Sequence, residues 1–304
     1  MLAVISHADC LNHDAGPLHP ECRERLDAID NQLIMSGLDF VIRRYDAPIA
    51  DRAALARVHD PDYIARVYAM APTEGSVEID GDTVMSPGTL AAAERAAGAG
   101  VMGVELIMKG EACPVFCEVR PPGHHAERDK AMGFCLFDNI AVAAAHAMDV
   151  YGFERVAIVD FDVHHGNGTE EIFKDDPRVL FCSSFQHPFY PFTGHDSDTP
   201  NLVDVPLSAG SDGPAFRAAI SEHWLPALHR FRPQFLFISA GFDAHALDDM
   251  SSLSLTEHDY AWITRELHAI AVEHCEGRVL SMLEGGYDLS ALARSVVSHL
   301  KELI

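Results

Sequence analysis

Basic residues are scarce in this chain. Its 304 residues carry 22 Lys and Arg against 46 Asp and Glu, a formal net charge of −24. No Lys/Arg cluster interrupts that surplus. A field of this sign repels a phosphate backbone, so nucleic acid is excluded as a partner. It attracts cationic ligands such as lysine-rich tails or polyamines, and it serves plain solubility equally well. A disulfide framework is also missing. The seven cysteines form no C-x-x-C pair, and several lie in apolar runs such as "CPVFC" and "LFCSS". That pattern suits reduced, buried thiols and a cytoplasmic location. The start, "MLAVISHADC", has no basic region and too short an apolar one for a signal peptide. The apolar stretch around 87–109 is interrupted by Glu94, Arg95 and Glu105. It reads as a buried, Ala-rich helix, so no membrane partner is expected. No linker, repeat or low-complexity tract is present, and residues 1–304 read as a single domain.

What is present is alternation of strand-like and helix-like runs. Strands are predicted at 2–6, 39–45, 113–119, 155–161, 178–184, 234–240 and 278–284. Several of these, such as "VAIV" and "FLFI", are apolar throughout, as central parallel strands are. Helices are predicted from Ser86, as cap, with Pro87 at the first helical position, over 213–231, and over 256–275, where T-x-x-D resembles a capping box. The stretches 71–88 and 186–214 read as long surface loops. The fold class is α/β: a mostly parallel sheet with helices on both faces.

Ligands of such sheets gather at the carboxyl ends of the strands. Four predicted strands end in metal-binding or proton-carrying residues: "RPPGHHA", "DFDVHHGNG", "GFDAH" and "GGYD". They deliver His124 and His125; Asp160, Asp162 and His164; Asp243; and Tyr287. Asp162 and His164 are two apart, so on extended backbone they point the same way. With Asp243 they make an open set of two carboxylates and one imidazole, which suits a catalytic Zn²⁺. His124 and His125 are natural bases beside a metal. Asp160 and Asn167 are the polar residues available to fix their tautomers. Tyr287 follows two glycines at a strand end and could donate to a developing oxyanion. Most of the chain's 18 histidines, such as His59, His146, His229 and His268, read as surface or core residues.

Together "RPPGHHA", "GFCLFDNIAVAA", "VDFDVHHGNGTEEIF", "SAGFDAH" and "LEGGYD" resemble, in order and spacing, the zinc-dependent histone deacetylase family in its class II-like branch, whose members include histone deacetylase-like amidohydrolases. The resemblance runs from "HPECRERL" to the C-terminal helix. It implies the arginase–deacetylase fold and one catalytic Zn²⁺ on Asp162, His164 and Asp243. It implies His125 as general base and acid, His124 as its electrostatic partner hydrogen-bonded to Asp160, and Tyr287 as oxyanion donor. Phe134 and Tyr190 would wall a narrow tunnel, and the Gly133 carbonyl would accept from the substrate amide. A structural K⁺ would use Asp160, Asp162, His164, Ser183 and Ser184, largely through backbone oxygens. Asn167 stands where class I members carry aspartate, as in the class II-like branch. Tyr190 stands where the tunnel wall is usually phenylalanine. Met250 occupies the position at which polyamine-selective relatives carry an acidic gatekeeper.

The expected activity is therefore hydrolysis of the acetyl amide of N-acetyl-lysine in a peptide or protein. Small acetylated amines, including polyamines, are the alternative substrate. A dimanganese ureohydrolase on the same fold would need further carboxylate ligands after "GFDAH", which are not found. A non-catalytic acyl-lysine reader would not need every catalytic position filled. The enzyme is expected to act alone or as a homo-oligomer.

Overall fold

All seven predicted strands form in the computed structural model, which describes residues 1–195 and 199–304. They are β1 (Ala3–Ser6), β2 (Arg43–Asp46), β5 (Val115–Cys117), β6 (Val156–Asp160), β7 (Val179–Gln186), β9 (Phe235–Ala240) and β10 (Val279–Leu283). An eighth, β8 (Leu202–Leu207), completes a wholly parallel sheet in the order β2-β1-β5-β10-β9-β6-β7-β8. Strands β5, β6, β7, β9 and β10 are buried at every residue. Both faces of the sheet's centre are therefore covered, which is why these runs do not alternate.

The cover comes from α1 (Glu24–Ser36), α2 (Arg52–Leu55), α3 (Pro61–Met70), α4 (Thr89–Met108), α5 (Asn139–Tyr151), α6 (Asn167–Phe173), α7 (Gly213–Phe231), α8 (Glu257–His274) and α9 (Leu289–Leu303). Helices α1, α9, α8 and α7 pack in one row, and α4 packs on α5. The small residues of α4 permit close approach: a Cβ on Gly98 would lie 1.9 Å from the Pro48 carbonyl oxygen, and one on Gly103 would lie 2.6 Å from Leu280. No helix of the described residues is long and apolar enough to cross a membrane.

Three expectations need correction. Ser86 is not the cap of α4 and Pro87 is not its first helical residue; the N-cap is Gly88, the helix opens at Thr89, and the Ser86 hydroxyl instead meets the Thr89 hydroxyl and accepts from Asp14 N. The 71–88 stretch is not a plain loop but holds a hairpin of β3 (Val77–Asp80) and β4 (Thr83–Met85). The 186–214 stretch contains the edge strand β8. The capping box at Thr256 and Asp259 forms as expected.

Candidate active site

The four strands whose exits carry the chemistry are neighbours, in the order β5-β10-β9-β6 at the middle of the sheet. Their loops meet at one cavity of about 170 Å³, lined by His124, His125, Gly133, Phe134, His164, Phe189, Tyr190, Met250, Tyr287 and Asp82 among others.

The ligand atoms of Asp162, His164 and Asp243 lie within 4.8 Å of one another, and all three residues are buried. The chain beyond β6 bends at this point, so the convergence of Asp162 and His164 does not come from strand alternation as the spacing suggested. It comes from hydrogen bonds within the loop. Asp160 Oδ1 accepts from Asp162 N at 3.0 Å, and Asp162 Oδ1 accepts from His164 N at 2.9 Å. Hydrogen bonds between strand exits complete the cradle: Gly285 N, beyond β10, donates to Asp162 Oδ2, and Val163 N, in the β6 loop itself, donates to Asp243 Oδ1 beyond β9, each at 2.8 Å. His164 Nδ1 faces Asp162 Oδ1 at 3.1 Å and Asp243 Oδ2 at 3.2 Å. Asp243 Oδ2 is buried with no hydrogen bond.

Such an arrangement is electrostatically incomplete. Burial, then the neighbouring Asp162, raise Asp243 to about 7. Burial opposes charge on His164, yet the two carboxylates raise it to about 10. Two buried carboxylates beside an imidazole, one with an orphaned oxygen, fit a divalent cation, and this N/O set suits zinc.

Above this cluster lie the paired histidines, ring centroids 4.0 Å apart. His124 Nδ1 lies 2.8 Å from Asp160 Oδ2, and His125 Nδ1 lies 2.8 Å from Asn167 Oδ1. Their environments push them in opposite directions. Burial disfavours charge on both, but Asp160 and Asp162 outweigh it at His124 and hold that ring's proton well above the usual range. Burial, reinforced by repulsion from His124 and His164, keeps His125 neutral. A neutral imidazole beside a charged one is a base beside a fixed positive field. The glycines of "HHGNGT" permit the packing. A Cβ on Gly166 would lie 2.3 Å from Asp160 Oδ2, and one on Gly168 would lie 2.4 Å from the Ala126 carbonyl oxygen.

The walls are built with backbone at positive φ. Gly133 (φ 57) has no room for a side chain, because its Cβ would lie 2.3 Å from the His125 ring. Phe134 (φ 69) pays a conformational cost for a non-glycine residue. The β3–β4 turn holds both: Gly133 N donates to Asp82 Oδ1 at 3.2 Å, and Phe134 N donates to Thr83 Oγ1 at 3.1 Å. Tyr190 stands edge-on to His125 at 5.3 Å, and Phe134 edge-on to Tyr287 at 6.0 Å. Ser183 is the register partner of Asp160, and both it and Ser184 are buried; the Ser183 hydroxyl pairs with His165 Nδ1 at 3.0 Å.

Several residues of this site had no sequence signal. Glu284 is wholly buried and accepts from Gly123 N at 2.8 Å and His124 N at 3.3 Å, binding the β10 exit to the histidine loop. Burial raises it to about 8. Arg25 of α1 donates to the Gly286 carbonyl at 2.7 Å and the Glu284 carbonyl at 2.5 Å. It is anchored by Glu21, which also takes both prongs of Arg120. Asp248 accepts from Tyr287 N at 2.6 Å and Asp288 N at 3.0 Å. Glu21 and Arg25 lie in "HPECRERL", Arg120 in "RPPGHHA" and Glu284 in "LEGGYD", stretches that carried the resemblance without giving these residues a role.

Residues 19–303 match the histone deacetylase domain. The chain belongs to the histone deacetylase family. The chain is similar to a probable deacetylase of Archaeoglobus fulgidus, 37% identical over 94% of this chain and 81% of that one. It is also similar to a human polyamine deacetylase, HDAC10, 36% identical over 94% of this chain and 45% of that one. The crystal structure of the HDA15 HD domain superposes with a TM-score of 0.92 at 34% identity, over 99% of this chain and 87% of that one. The fold is thus the arginase–deacetylase fold, and the chain is an amidohydrolase of the deacetylase type, in a family that depends on zinc.

Proposed function

We propose that the chain, acting as one domain, hydrolyses the acetyl amide of N-acetyl-lysine side chains in peptides or proteins. The observation that carries this reading is the cavity itself. It is small, about 170 Å³, and its lining includes Phe134 and Tyr190 together with His124, His125, His164 and Tyr287. An alkyl chain with an amide at its tip suits that shape. Asp162, His164 and Asp243 would hold one Zn²⁺, which when bound supplies Lewis-acid polarisation of the acetyl carbonyl and lowers the pKa of water.

The chain's own residues supply the rest. The Gly133 carbonyl accepts from the scissile amide N–H and sets the acyl group's orientation. Tyr287 donates its hydroxyl hydrogen to the carbonyl oxygen as negative charge gathers there. Neutral His125 takes a proton from the attacking water. The water oxygen bonds to the acyl carbon; the C–N bond then breaks, and the same proton passes to the leaving amine. His124, held charged by Asp160, faces the anionic intermediate. The products are acetate and lysine. A structural K⁺ at Asp160, Asp162, His164, Ser183 and Ser184 is part of the proposal, as is action in the cytoplasm.

Tyr287→Phe keeps the ring and removes the donor, so kcat on an acetyl-lysine peptide should fall about 10²–10³-fold. Full activity in that variant would refute the assignment. Acetylated polyamines are the second reading. The surplus of 24 negative charges and Asp82 at the cavity favour a cationic substrate, whereas Met250 in the wall offers no acidic group to a distal ammonium. Side-by-side kcat/KM for acetylputrescine and an acetyl-lysine peptide decides between them. One tightly bound zinc per chain, without manganese, excludes a ureohydrolase.

A further inference from the structure

A second carboxylate stands behind the base. Asn167 turns its Oδ1 to His125 Nδ1 at 2.8 Å and donates from Nδ2 to Glu127 Oε1, also at 2.8 Å. Glu127 lies two residues beyond His125 and is half-buried, while Asn167 opens α6. The other acceptors of Nδ2 are the His125 carbonyl at 3.4 Å and the Met132 sulfur at 3.3 Å, one long and one weak.

The two ends of a side-chain amide have opposite hydrogen-bonding character, and neighbours decide which way it faces. An ionised carboxylate can only accept, so Glu127 requires the NH₂ of Asn167. The amide oxygen is then left for His125 Nδ1, where only an N–H can meet it. The imidazole proton is thereby placed on Nδ1, and the Nε2 lone pair is free toward the cavity. With the amide reversed, Nδ1 would become the acceptor, the proton would move to Nε2, and His125 could take no proton from water.

We propose that Glu127 is a positioning residue for the hydrolytic step, setting the tautomer of His125 through the Asn167 amide. The proposal rests on the deacetylase reading above. It makes Asn167 and Glu127 one unit, in which the negative charge lies one residue further from the imidazole than in a direct carboxylate–histidine pair.

The test uses the full chain labelled with ¹⁵N-histidine. Long-range ¹H–¹⁵N spectra report which ring nitrogen carries the proton, and His125→Gln identifies the His125 signals. Wild type should show the Nδ1–H form, with and without added zinc. Glu127→Ala should add a population of the Nε2–H form and lower kcat on an acetyl-lysine peptide roughly 10-fold, the low end for groups that orient a ligand or base, with KM within about twofold. Glu127→Gln, which retains an acceptor oxygen, should keep at least about half of kcat. Glu127→Leu provides the same loss of acceptor should the alanine variant melt early. An unchanged tautomer in Glu127→Ala or Glu127→Leu overturns the proposal, whatever the rate. A shifted tautomer in a protein that never hydrolyses acetyl-lysine would support it while sinking the substrate reading.

Discussion

Gly285→Ala probes the metal cradle without touching a ligand. Gly285 does not have positive φ, so its backbone accepts any residue. The added Cβ, however, would sit 2.2 Å from Asp243 Oδ2 and 2.6 Å from Asp162 Oδ2. Ordinary contact requires each oxygen to retreat by roughly 1 Å, whereas zinc sites tolerate ligand errors of about 0.2 Å. Asp162 cannot retreat freely, because Gly285 N itself holds its Oδ2 at 2.8 Å. Misplacement on this scale costs about 10²-fold in rate, and zinc affinity should fall roughly 10–100-fold. The assay pairs zinc content after dialysis against a competing chelator with kcat/KM on an acetyl-lysine peptide. Far-UV circular dichroism checks that the fold persists. Gly241→Ala, whose Cβ would meet Asp162 Oδ2 at 2.0 Å, should behave alike. Wild-type zinc retention and rate in a folded Gly285→Ala protein would refute the reasoning.

Three further outcomes follow from the supports of the site. Glu21→Ala leaves the buried guanidiniums of Arg25 and Arg120 unpaired and should destabilise by about 3–5 kcal/mol in denaturant titration. Thr83→Val removes the acceptor for Phe134 N; stranding that strained amide should cost about 1–3 kcal/mol, read as a lower Tm together with a raised KM. Burial lowers His59 to about 4 and His299 to about 3. The folded chain therefore resists protons that the unfolded chain binds near 6.5, so stability is full above pH 6.5 and lost as pH falls toward 4. Each histidine contributes at most about 1.4 kcal/mol per pH unit. His59→Gln should flatten the slope measured by urea unfolding across that window.

The central sheet was legible because fully buried strands leave uninterrupted apolar runs, and the functional loops were legible because they follow those runs directly. Strand β8 escaped because Asp204 and Pro206 sit within "LVDVPL"; a proline is tolerated there because β8 is the sheet's edge. The β3–β4 hairpin is short and only partly buried, so its contribution of Asp82 and Thr83 to the cavity wall could not be read from a Gly-rich stretch. Glu21, Arg25, Arg120 and Glu284 were hidden for a different reason. Charged residues are expected at the surface, and only the folded chain reveals that Glu21 pairs with Arg25 and Arg120, while Arg25 and the Glu284 carboxylate hold backbone around the β10 exit and the histidine loop. Glu127 was invisible because its role depends on which way an amide faces.

The measurement closest to the central claim is a crystal structure of the purified protein with anomalous data collected on either side of the zinc edge. One zinc peak per chain is expected, within bonding distance of Asp162, His164 and Asp243 and beneath His125 and Tyr287. An anomalous map with no peak there, or with the ion bound elsewhere while acetyl-lysine hydrolysis continues, would contradict it.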